Sequence, residues 1–203
     1  ENIERDPYIE EVWDKYKTSV NINRDDRSVA PLLSARWNQG NPYNDMCPVD
    51  FDGPGGNALV GCVAVSMVQV MHYWSYPEYG FGSHSYYHNN YGQLSANFNT
   101  FYDFDNMPNT TGTIPVQLLS YHAGVAVEMG YGADGSGAWV GEYEPSLTTA
   151  LKSYFKYNQQ TTFLSKDNYD DIFWLDMVKS ELDQGRPLIY KGYTEDLLSL
   201  IHI

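Results

Sequence analysis

The segment that most constrains this fold is Gly61-Cys62 followed by residues 63–74, a run without a single charged side chain. Pro77 closes it. A helix that is apolar on nearly every side has no face for water, so it must lie in the middle of a domain. The rest of the chain has to wrap it. With 203 residues, 42% hydrophobic and 15% aromatic, there is material for one such domain or one and a half.

Cys62 would open that helix. A thiol attacks carbonyl carbon only as thiolate, and its free pKa is about 8.5. A helix N-terminus favours the anion through its dipole and unpaired N–H groups, and the flexible run before Gly61 lets backbone approach the sulfur. Two other readings stay open. Cys62 could be a small buried hydrophobe, as free cysteines often are, or it could pair with Cys47, the other cysteine. Two cysteines are too few for a disulfide scaffold or a zinc cluster.

Around this helix the chain is irregular and turn-rich. Residues 1–28 are dense in charge, with Ile9, Val12, Trp13 and Tyr16 at helical spacing, and read as a tail or connector holding a short amphipathic helix. Residues 37–44 and 50–56 are loops rich in Gly, Pro and Asn or Asp. Residues 78–113 read as short strands and long loops. A helix is predicted from Pro115 towards Val127, another over 145–154, and a third from Asp170 or Asp171, either able to cap it, to Gly185 at its C-cap. Residues 131–138 form a glycine-rich loop and 186–191 a strand.

The formal net charge of −14 argues against nucleic acid and anionic membrane as partners, since both need clustered Lys and Arg. No stretch approaches the roughly 20 apolar residues of a membrane span. The Asp-rich stretches 50–53 and 167–171 depart from calcium-loop spacing and read as solvated turns. His84 and His88 stand four apart but lack a third ligand, so no metal is expected.

A cysteine nucleophile needs an imidazole within hydrogen-bond reach. His72 lies ten residues along the same helix, roughly 15 Å away by helical rise, and cannot serve. His122 falls mid-helix and reads as an ordinary core or surface residue.

The ordered set Asn38-Gln39-Gly40-Asn41-Pro42-Tyr43-Asn44, Gly61-Cys62-Val63-Ala64, Tyr76-Pro77, Asp103-Phe104-Asp105-Asn106-Met107-Pro108 and Gly185-Arg186-Pro187-Leu188-Ile189-Tyr190 resembles the streptopain family of cysteine peptidases. The resemblance covers about residues 29–192. It implies an α+β, papain-like fold of two lobes, with the cysteine helix in one and an antiparallel sheet carrying the histidine in the other. It also implies a secreted bacterial protease made as a zymogen, acting on polypeptides without a cofactor and held inactive by its own propeptide. Residue by residue, Cys62 matches the nucleophile and Gln39 the glutamine that helps form the oxyanion hole. Ser136, Gly137 and Ala138 match the substrate-contacting loop.

On that basis residues 1–28 are expected to be the end of a propeptide or a connector, and 29–197 a partial catalytic domain. The family's histidine lies in a Gly-His-Ala type segment beyond the strand at 186–192, followed by an Asn-Trp-Gly-Trp segment. Neither occurs here. Residues 198–203 (LSLIHI) resemble the translated end of a sequencing-library transposon and are read as a non-native tail, which discounts His202. The competing reading is a terminal apolar strand. As written, the polypeptide is expected to be inactive. The alternative function is an aromatic-rich binding module, or a catalytically dead relative, in which Cys62 is structural.

Overall fold

The computed structural model describes residues 29–193 and 198–202. The helix expected within 1–28 lies outside the described residues. The chain divides between Ala30 and Pro31 into two compact units, and the elements below belong to the second.

Helix α1 (Cys62–Trp74) is its centre, and Val63 through Met71 are all buried. The expected greasy helix is there, with the expected ends. Gly61 precedes it, and Ser75 closes it in a left-handed conformation with its N–H on the His72 and Met71 carbonyls. Two polar residues on α1 hold loops that lie before and after it in the chain. Gln69 Nε2 donates to Trp37 O at 2.9 Å, and His72 Nε2 sits 2.8 Å from Met107 O.

Strands β1 (Ser83–His88) and β2 (Gly92–Asn97) form an antiparallel hairpin in register from Ser83↔Asn97 to His88↔Gly92. Helix α2 (Ile114–Ala126) starts with Pro115 in its first turn and packs on α1, burying Val116, Leu119, Ala123 and Val125. Helix α3 (Leu147–Tyr154) begins two residues after the expected Pro145. The reason is Ser146, whose Oγ accepts the Thr149 N–H at 3.2 Å and so caps the helix. Helix α4 (Asp171–Asp183) is capped by Asp170, which accepts from Phe173 N at 2.8 Å. Gly185 follows at φ 68°, the left-handed cap its position predicts.

The expected strand at 186–191 is displaced to β3 (Ile189–Tyr193). Arg186 is drawn back onto the end of α4, where its N–H donates to Glu181 O at 2.9 Å and its guanidinium forks onto the Glu181 carboxylate. β3 pairs antiparallel with β4 (Leu198–His202). The backbone of 198–202 therefore runs as a strand. No helix among the described residues is long and apolar enough to cross a membrane.

The core continues from α1 and α2 into an aromatic layer of Phe98, Tyr102 and Phe155. Phe98 stacks on Tyr154 at 4.4 Å and meets Phe155 edge-on at 5.5 Å. Asn44, fully buried, knits the loop before α1: its Nδ2 reaches Pro54 O, Asn57 O and Ala58 O at 2.8, 3.1 and 3.2 Å.

His122 lies inside this layer, Nδ1 2.9 Å from the Tyr102 hydroxyl and ring against Phe98. Burial pushes its pKa down to about 4. In the unfolded chain a histidine titrates near 6.5, so between these values the unfolded state binds the extra proton. Stability is then fully present above about pH 6.5 and lost as pH falls towards 4, by about 3 kcal/mol at most. Urea titrations across that window should show this slope in the wild type, and His122→Gln should flatten it. Equal slopes would contradict a neutral buried imidazole.

Candidate active site

Three chain segments converge on the start of α1. The lead-in, residues 57–61, is hydrogen-bonded to the other two. On one side Val60 N donates to Gln39 O at 2.9 Å. On the other, Leu59 N donates to Gly132 O at 3.0 Å, and Ser136 Oγ donates to Leu59 O at 2.7 Å. The segments singled out as nucleophile, oxyanion donor and substrate loop are thus brought together at one lead-in, far apart though they are in sequence.

Gly61 sets the entry to the helix. It sits at φ 89°, where a side chain is strained. A Cβ there would lie 2.6 Å from Met129 Sδ, 2.7 Å from Met129 Cε and 3.2 Å from Ser136 Cβ. No motif in the sequence singles out Met129. Its role as a floor beneath Gly61 depends on the contact made in the fold.

Cys62 is half-buried and Cys47 buried, and both are free thiols. The bridge between them considered above does not form. Burial pushes the Cys62 thiol up, against the opposing pull of the Val63 and Cys62 N–H groups. Desolvation therefore outweighs the helix N-terminus, reversing the expected direction. Cys47 goes further, pushed up to about 12 by burial.

The Gln39 side chain is half-buried, and its amide has no hydrogen-bond partner among the described residues. Ser136 is turned inward: besides Leu59 O, its Oγ accepts Gly132 N at 3.0 Å. Gly137 exchanges both backbone hydrogen bonds with Gly130, at 2.9 and 3.2 Å. Ala138 packs partly against the core. In such a ladder the residues either side of a doubly bonded one point their backbone groups outward. Ser136 and Ala138 accordingly carry N–H and C=O groups unpaired among the described residues, an open edge of the kind an extended peptide can join.

None of the four histidines whose side chains are described bonds to Cys62. His72 holds Met107 O. His84 Nε2 lies 3.0 Å from Glu128 Oε1. His88 stacks on Tyr91 at 4.8 Å, and His122 pairs with Tyr102. His202 falls in β4, where only the backbone is described. Among the described residues no group of three or more His, Cys, Asp or Glu is placed to hold a metal.

The peptidase C10 family profile matches residues 37–200. Streptopain from Streptococcus pyogenes is 28% identical over 188 residues, covering 82% of this chain and 46% of that protein. The thiol protease/hemagglutinin PrtT of Porphyromonas gingivalis is 27% identical, covering 81% of this chain and 20% of its own length. The chain thus spans about half the length of the streptopain relatives it matches, and less of PrtT. Among solved structures, active wild-type interpain A, a cysteine protease of Prevotella intermedia, superposes with a TM-score of 0.73 at 35% identity, covering 86% of this chain and 74% of that one. A prointerpain A fragment superposes with a TM-score of 0.77 at 31% identity, covering 96% and 66%. The α+β, papain-like fold class stands on these superpositions together with the helices and small sheets described above.

Proposed function

Because this chain belongs to the peptidase C10 family, we propose that the protein it represents is a secreted cysteine endopeptidase with Cys62 as nucleophile. The observation that carries this reading is the free, half-buried Cys62 as the first residue of α1, with Gln39 and the Ser136–Ala138 loop tied to the segment that leads into it.

The chemistry follows from that arrangement. The Cys62 thiolate adds to the scissile carbonyl, and the resulting oxyanion is held by the Cys62 N–H and the Gln39 amide. The intermediate collapses to a thioester as the amine leaves with a proton from an imidazole. Water then adds to the thioester, releasing the carboxylic acid and restoring the thiol. The outward backbone groups of Ser136 and Ala138 align the substrate as an added strand. Ser136 contributes through its main chain, since its hydroxyl is committed to Leu59 and Gly132.

The imidazole has to come from a residue other than the four described histidines. With His202 read as part of a non-native tail, the 203-residue polypeptide alone is proposed to be inactive, and residues 1–28 to be the end of an inhibitory propeptide. The match to a prointerpain A fragment over 96% of the chain supports the propeptide reading. Casein hydrolysis tests the whole proposal. The full-length gene product should cleave casein after maturation, and the 203-residue polypeptide should not. Turnover by the shorter polypeptide comparable to the full product would overturn the inactivity, and an inert full product would overturn the peptidase reading.

A further inference from the structure

We propose that Gln69 is a positioning residue for the oxyanion donor, holding the segment that carries Gln39 in fixed register with Cys62. The proposal rests on the endopeptidase reading above and gives a task in that site to a residue outside it.

Gln69 is an odd occupant of its place. It lies within the uninterrupted buried stretch of α1, Val63 to Met71, and is 3% exposed. Its Nε2 donates to Trp37 O at 2.9 Å, a buried bond between residues 32 apart in the chain. Its Oε1 is buried and finds no partner among the described residues. The partner fixes which way the amide points, since a carbonyl oxygen can only accept. One hydrogen bond is gained and one acceptor is left dry, and the dry acceptor costs at least as much as the bond contributes. Methionine would fill a similar volume and leave a single dry oxygen too, that of Trp37. Stability alone therefore gives little reason for an amide in this helix.

The geometry gives one. Two hydrogen bonds close a ring through the proposed site. From Cys62 it runs down α1 to Gln69, across to Trp37 O, and two residues on to Gln39. It then passes from Gln39 O to Val60 N at 2.9 Å, and two residues on it is back at Cys62. Seven residues are nearly two helical turns, so Gln69 sits within about 20° of Cys62 around the axis of α1. A long side chain on a helix leans towards the N-terminus, here the Cys62 end, which shortens the roughly 10 Å of helical rise between the two residues.

Among the described residues this is the one hydrogen bond from α1 to residues 37–39. The Gln39 amide has no partner among the described residues, so its aim depends on where its backbone is held. Trp37 has further anchors: its Nε1 donates to Pro108 O at 2.9 Å, and its ring meets His72 edge-on at 4.8 Å. Loss of the Gln69 bond should therefore shift the segment rather than release it. An oxyanion donor acts only within hydrogen-bond distance of the developing charge, and a displacement of about 1 Å costs about a hundredfold in rate.

The test is a double-mutant cycle on the full-length gene product, read as kcat and KM on a fluorogenic peptide that the wild type cleaves. Gln39→Ala should lower kcat by about 10²- to 10³-fold, the loss of one oxyanion donor. Gln69→Met should lower kcat by about ten- to a hundredfold and leave KM within about twofold. In the Gln39→Ala background the same substitution should cost less than about twofold, because the donor it positions is gone. Alkylation of Cys62 by iodoacetamide forms no oxyanion, so its rate in Gln69→Met should stay at the wild-type value. Gln69→Leu serves if the methionine variant does not fold. Undiminished kcat in the Gln69 variant, equal losses in both backgrounds, or alkylation slowed in step with kcat would each overturn the proposal while the endopeptidase reading stands. An inert wild type overturns the endopeptidase reading, and undiminished kcat in Gln39→Ala overturns the role of Gln39; the proposal falls with either.

Discussion

Cys62→Ala in the full-length gene product is expected to lower casein hydrolysis by at least about 10⁴-fold, the scale on which removal of a nucleophile acts. Cys47→Ala should leave activity within about twofold, since substitutions away from the chemistry act mainly through stability. The two thiols differ in reach and in charge. Cys62 is half-exposed with two backbone N–H groups favouring its anion, whereas Cys47 is 5% exposed and its thiol is pushed up to about 12. Iodoacetamide on the mature protein should therefore modify Cys62 alone, with loss of activity in step. Mass mapping that finds label on Cys47 instead, or an unreactive Cys62, would favour the binding-module reading. Its motivating observation is the exposed Trp139–Tyr143 pair, with rings 4.7 Å apart.

Gly61→Ala is the second large effect. The new methyl would meet Met129 Sδ and Cε at 2.6 and 2.7 Å. Met129 is fully buried, so its end has no open space into which to swing. The backbone strain at φ 89° adds to this. Together these should destabilise the protein by about 3 kcal/mol, and moving Cys62 by even an ångström should lower kcat/KM by about a hundredfold. Gly56 is the matched control. Its φ is 86°, yet nothing lies within 4 Å of a Cβ there, so Gly56→Ala bears only the strain, about 1 kcal/mol. Urea midpoints of the two variants separate the terms. Equal midpoints would mean that Met129 does not clamp the entry to α1.

What could be read from the sequence was what local chemistry decides. The uncharged run 63–74 had to become a buried helix, and Asp170 and Gly185 bracket α4 as capping chemistry demands. The misplacements are also local in origin. Ser146 outcompeted Pro145 as the start of α3, and the pull of Glu181 on Arg186 delayed β3. Strands β1 and β2 were foreseen only as short strands somewhere in 78–113, because SHSYYH and GQLSAN offer little apolar alternation. The proposed site was nameable in advance as a set of residues, Cys62, Gln39 and the 136–138 loop, by resemblance. Its electrostatics was not. A helix N-terminus is visible in sequence, but the burial that raises the Cys62 thiol belongs to the packed chain. Met129 gains its role through its contact with Gly61, a distant partner that no spacing announces.

Asn44 touches none of this chemistry, yet it restricts how the protein can change over generations. Aspartate, nearly identical in outline, would aim lone pairs at the three oxygens that now share the two amide hydrogens. Leucine, similar in bulk, would leave those oxygens dry. Mutational drift is closed at this position by hydrogen-bond polarity alone.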